Sequence, residues 1–80
     1  MNFGEWVRRE VNSMDKSIAW LLKEINASPS IANKWRKGTQ PKTEYFLKVC
    51  CIISREKGLP LLMVICIAAA KLGIELDESD

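Results

Sequence analysis

The 80-residue sequence has no histidine, only three cysteines, four glycines and three prolines, and a single tyrosine. Without histidine, and with Cys50, Cys51 and Cys66 lacking any Cys-x-x-Cys spacing, neither a zinc site nor a disulfide framework is expected. No metal or other cofactor is implied. Adjacent Cys50 and Cys51 within an apolar run read as small core residues of a reduced, cytoplasmic protein. The N-terminal Met1-Asn2-Phe3-Gly4-Glu5-Trp6 has no basic lead into an apolar stretch, which argues against a secretory signal. The longest apolar run, Leu59 to Ala70, is broken only by Pro60 and is too short for a bilayer, which requires about 20 residues. There is no Gly-rich phosphate loop and no paired acidic motif, so no catalytic set is present and an enzyme is not expected. No repeat, low-complexity segment or strand-like alternation occurs. The expectation is one all-α domain over residues 1–80, since a chain of this size buries only roughly 60% of its unfolded surface and has room for one core.

What the sequence does contain is unevenly spread charge. The formal net charge is +2. Residues 1–27 balance, and residues 28–57 carry Lys34, Arg36, Lys37, Lys42, Lys48, Arg55 and Lys57 against Glu44 and Glu56. Beyond Ala70, Lys71 faces Glu75, Asp77, Glu78 and Asp80. A basic centre between a neutral and an acidic flank predicts a localised face for a polyanion.

Helical periodicity runs through most of the chain. Phe3, Trp6, Val7, Val11 and Met14 recur at helical spacing and leave Arg8 and Arg9 toward solvent. A second helix follows an N-cap at Ser17 or Asp15 and carries Ile18, Leu21, Leu22 and Ile25; Asn26, which tolerates a left-handed backbone, ends it. After a gap of about three residues, Ser28 as cap and Pro29 at the first helical position start a third helix, which ends at Gly38. Thr39-Gln40-Pro41-Lys42 reads as a loop. A fourth helix, Thr43 to about Lys57, has a spine of Phe46, Val49, Cys50 and Ile53 and stops at Gly58; Pro60 opens a fifth, to about residue 72.

Two short helices joined by a tight turn, over about residues 17–37, form a unit whose second helix can enter the DNA major groove. Leu21, Ile25, Ala27, Ala32 and Trp35 supply its apolar positions, which leaves Ser28, Ser30, Asn33, Lys34 and Lys37 for the outer face. Leu21-Leu22-Lys23-Glu24-Ile25-Asn26-Ala27-Ser28, then Trp35-Arg36-Lys37-Gly38, Pro41 and Phe46-Leu47-Lys48-Val49 resemble the lambda-repressor-like family of Cro, repressor and Xre-type helix-turn-helix proteins. The likeness covers Ser17 to about Ile53 and implies a five-helix lambda-repressor-like domain binding double-stranded DNA. Departures are Ile18, where the family usually has a phosphate-binding Gln, Asn26 for a turn Gly, and Arg36 for a Glu. Leu22 and Ala32 stand where the family prefers Ala and a branched residue, a volume-conserving exchange that should leave the core filled.

The resemblance implies base contacts from Ser28, Ser30, Asn33 and Lys34, since Asn pairs with adenine through two hydrogen bonds and Lys donates to guanine. It implies phosphate contacts from Ser17, Lys37, Thr39, Gln40 and Lys42, with Arg8 and Arg9 as secondary candidates. The plainer reading makes these residues helix caps, loop and solvated surface, and makes Trp35 a core anchor rather than a stacking platform. In the fifth helix, Leu62, Ile65, Ala69 and Leu72 form one apolar stripe and Met63, Ile67 and Ala70 a second. One helix at the end of so short a chain is hard to surround, so the second stripe is the candidate homodimer interface. The expected function is a sequence-specific transcriptional regulator, a Cro-like homodimeric repressor of a phage or mobile element. The alternative is an antirepressor-like protein-interaction module that keeps the fold without binding DNA. Neither a membrane nor a small-molecule ligand is indicated.

Overall fold

The structure, a computed structural model, describes residues 1–73; the acidic segment from Glu75 lies outside the described residues. It consists of five α-helices: α1 Phe3–Ser13, α2 Ile18–Glu24, α3 Pro29–Arg36, α4 Thr43–Lys57 and α5 Leu61–Leu72. No strand occurs among the described residues. The radius of gyration, 12.1 Å, is close to the roughly 12 Å of a compact chain of this length. No helix is long and apolar enough to cross a membrane among the described residues.

Local chemistry sets the helix ends. Ser17 starts α2 by accepting the Trp20 N–H at 3.1 Å. Asp15 is not the cap; it sits in the preceding turn at φ 58, a conformation that short polar side chains tolerate. Asn26 has φ 57 and turns the chain after Ile25, so four residues, Ile25 to Ser28, separate α2 from α3. Pro29 occupies the first position of α3 as its missing N–H predicts, but Ser28 makes no side-chain cap; its hydroxyl instead bonds that of Ser30 at 2.8 Å.

The core joins α1, α2, α4 and α5 through Val7, Val11, Leu21, Val49, Ile53 and Ala68, all at most 1% exposed. Aromatic packing ties in α3. The Phe3 ring meets Trp35 edge-on at 4.9 Å and 84°, and lies 5.8 Å from Phe46, while Trp35 meets Tyr45 at 6.2 Å. Such pairs contribute about 0.5–1.5 kcal/mol each beyond buried area. Gly4 permits the approach of α1 to α3, because a Cβ there would lie 2.6 Å from the Arg36 nitrogen. Asn2 caps α1 and also bonds the Arg36 carbonyl at the end of α3.

Two side chains, Cys51 and Leu62, face differently from the expectation. Cys50 is buried, but Cys51 and Cys66 are exposed; at about 100° per residue, Cys51 falls on the side of α4 opposite the arc shared by Val49, Cys50, Ile52 and Ile53. In α5, Val64 and Ala68 point inward beside Ala69, with Ile65 and Leu72 half-buried, whereas Leu62 is 71% exposed. A helix apolar on all sides offers no polar stripe to fix its rotation.

Candidate nucleic-acid interface

α3 is anchored by Trp35, 3% exposed, which makes it a core residue and not a stacking platform. Ser28, Ser30, Asn33, Lys34 and Lys37 are all exposed, as expected of an outer face. With 3.6 residues per turn, Ser30, Asn33, Lys34 and Lys37 fall on one side of the helix, away from Trp35. The apolar positions behave less uniformly: Leu21, Ile25 and Trp35 are buried, while Ala27 and Ala32 are only half-buried.

Beyond α3, Thr39, Gln40 and Lys42 share a hollow of about 260 Å³ with Lys34, over the Trp35 and Tyr45 rings. The structure therefore groups Lys34, a base-contact candidate, with the loop candidates for phosphate. Lys37, the C-cap of α3, lies outside that group. Ser17 is exposed and spends an oxygen lone pair on the α2 cap, which leaves its hydroxyl proton to donate.

On the other side of α3 a larger hollow, about 640 Å³, opens among α1, α2 and α3. Arg8, Lys23 and Arg36 line it, and no acidic residue does. Lys23 and Arg36 are site residues that sequence reasoning does not select. Lys23 lies in the last turn of α2, and its approach to the same hollow as Arg8 and Arg36 requires the packing of three helices. Leu22 and Ala32 also line this hollow, so the exchange of a large and a small side chain does not fill the space between α2 and α3. The reason is directional: Leu22, 5% exposed, turns its bulk into the core, and Ala32 is too short to replace a branched side chain on the outside.

The Arg36 guanidinium donates to Asn33 Oδ1 at 3.3 Å. That bond orients the amide and uses one lone pair of its oxygen, which leaves the second lone pair and the Nδ2 protons for another partner. Part of the basic centre is paired with carboxylates. Arg55 donates to Glu24 at 2.9 Å and also lies near Glu56, while Lys57 pairs with Glu10 at 2.6 Å. The hydrogen bond to Glu24, foremost, raises the Arg55 pKa above its usual value. Lys48 lies 3.9 Å from Glu44 and above the Tyr45 ring. Among the described residues, Arg8, Lys23, Lys34, Arg36, Lys37 and Lys42, around α3, have no carboxylate within 4.0 Å, and neither do Arg9, Lys16 and Lys71 elsewhere.

On α5, Met63 and Ile67 are 47% and 42% exposed, and Ala70 is exposed as well. Leu61, Leu62 and Cys66 widen the surface, so the outer side of the helix is apolar along its length. No group of three or more potential ligands that could hold a metal occurs among the described residues. No family model, no curated protein and no solved structure matches the chain.

Proposed function

We propose that the chain is a sequence-specific DNA-binding transcriptional regulator, with α2 and α3 as a helix-turn-helix of lambda-repressor-like type and α3 as the helix that enters the major groove. The observation that carries this reading is the setting of α3: a polar outer side between two hollows, each lined by cations and free of carboxylates. A major groove about 12 Å wide is bordered by a phosphate strand on either side, and this arrangement suits both strands. Asn33 and Lys34, with Ser28 and Ser30, are the base-reading set; Lys37, Thr39, Gln40 and Lys42, with Ser17, hold phosphates. Two copies joined through Met63, Ile67 and Ala70 of α5 would present two such helices, in the manner of a Cro-like repressor of a phage or mobile element. No catalytic role is proposed.

The test is a mobility-shift titration with DNA from upstream of the gene, against random DNA, at two salt concentrations. Specific, salt-sensitive shifting is expected. The apolar outer side of α5 also suits a protein partner, so absence of any shift together with stable co-purification of another regulator would replace this reading with the antirepressor-like one.

A further inference from the structure

The hollow among α1, α2 and α3 has two features that a phosphate strand alone does not call for. Its volume, about 640 Å³, falls within the roughly 300–1,000 Å³ usual for small-molecule sites. Part of its wall is apolar: Leu22 and Trp35 are buried behind it, and Ile18 and Ala32 are half-buried along it, beside the polar Asn26 and Asn33. A phosphodiester would satisfy the cations and leave that wall wet.

The rim is of the opposite character. Arg8, Lys23 and Arg36 are exposed, and none has a carboxylate within 4.0 Å among the described residues. An apolar surface removed from water stabilises by about 25 cal/mol per Å², and a charge-assisted contact to a guanidinium or ammonium adds to it. A ligand that uses both halves must carry an apolar body and an anionic end. The space exists because position 32 is Ala, and Gly4 lets α1 close one side.

We propose that this hollow binds a small amphipathic anion, a medium-chain aliphatic carboxylate, with its chain against Ile18, Leu22 and Ala32 and its carboxylate among Arg8, Lys23 and Arg36. The proposal does not rest on DNA binding.

It is tested by titrating the methyl-labelled full chain with octanoate, octanol and inorganic phosphate while following methyl resonances by NMR. Octanoate should shift Ile18, Ala19, Leu22 and Ala32 saturably and leave Met63 and Ile67 in place. Replacing Arg8 and Lys23 together by Ala should weaken octanoate by about tenfold or more, because the carboxylate loses two of its three cationic partners, and leave octanol unaffected. Ala32→Trp should abolish binding by filling the hollow; if that variant does not fold, the Arg8 and Lys23 replacements still decide. Several results overturn the proposal: no saturable shift, octanol binding as tightly as octanoate, phosphate alone moving the same methyls as strongly, or shifts confined to α5. So does movement of the same methyls on deleting residues 74–80 with no further effect of octanoate, which would assign the hollow to the chain's own acidic segment.

Discussion

Asn2 fastens the beginning of α1 to the end of α3: its Nδ2 donates to the Arg36 carbonyl at 3.0 Å while its Oδ1 accepts the Glu5 N–H at 2.9 Å. One amide thus satisfies an orphan donor of one helix and an orphan acceptor of another. Asn2→Ala should cost about 1–2 kcal/mol, read as a fall in Tm of about 5–10 °C. Asn2→Asp separates the two roles, because a carboxylate still caps α1 but cannot donate to Arg36. It should recover most of the stability and not the amide protection of α3.

Gly4→Ala should destabilise even though Ala is the better helix former. The added carbon would stand 2.6–2.7 Å from the backbone of Trp35 and Arg36, and backbone cannot step aside as a side-chain tip can. A loss of about 1–3 kcal/mol in denaturant unfolding is expected. A gain in stability would show that α1 does not press on α3.

On DNA, Asn33→Ala and Lys42→Ala should behave differently. The first should cost about 1–3 kcal/mol on the cognate site and little on random DNA, because a base contact is lost. The second should weaken every sequence alike and reduce the salt slope by roughly one unit. Equal weakening on both DNAs by Asn33→Ala would remove it from the base-reading set.

Ile67→Asp tests the outer side of α5. Ile67 is 42% exposed in the single chain, so the carboxylate can reach water there and the fold should survive. At a subunit interface the charge would be buried unpaired, at a cost of several kcal/mol. Light scattering should report a folded monomer of 9.1 kDa in place of a dimer. A dimer that persists would move the interface elsewhere.

The cysteines should differ in reactivity and in their effect on stability. Burial, with a smaller contribution from neighbouring Cys51, pushes the Cys50 thiol up to about 11 from 9.0. The folded chain therefore holds this proton longer than the unfolded chain does. Its contribution is complete below pH 9 and is lost as pH rises through about 11, amounting to about 2–3 kcal/mol. Cys50→Ala should flatten the alkaline fall in stability by that amount. A native maleimide reaction read by mass spectrometry should label Cys51 and Cys66 and spare Cys50 until the chain is unfolded.

The helices were legible because their ends are written in short-range chemistry. Ser17, Pro29 and Gly58 mark boundaries by what their own backbones can do, and the span Thr43–Lys57 follows from a spine and a stop. The outer side of α3 was legible for the same reason, since Trp35 fixes the rotation and the polar residues follow. Contacts between residues far apart were not. Arg55 with Glu24 and Lys57 with Glu10 join residues 31 and 47 positions apart, and no local pattern announces that they withdraw two cations from the basic centre. The rotation of α5 was hidden by its uniformity, as Leu62 and Val64 are equally apolar and only packing decides between them. The hollow beside Ala32 needed knowledge of where the Leu22 side chain turns.

The eight residues of α3 are too few to hold a helix in water, where isolated helices shorter than about 12–15 residues are marginal. Its order is borrowed from α1 and α4 through the Phe3, Trp35, Tyr45 and Phe46 rings. The two ends of that arrangement, Phe3 and Phe46, enter the chain at nearly opposite limits of the segment that closes around α3. In hydrogen exchange, α1 and α3 should therefore open together as one cooperative unit, and the segment proposed to meet DNA should have no local opening of its own that leaves α1 closed.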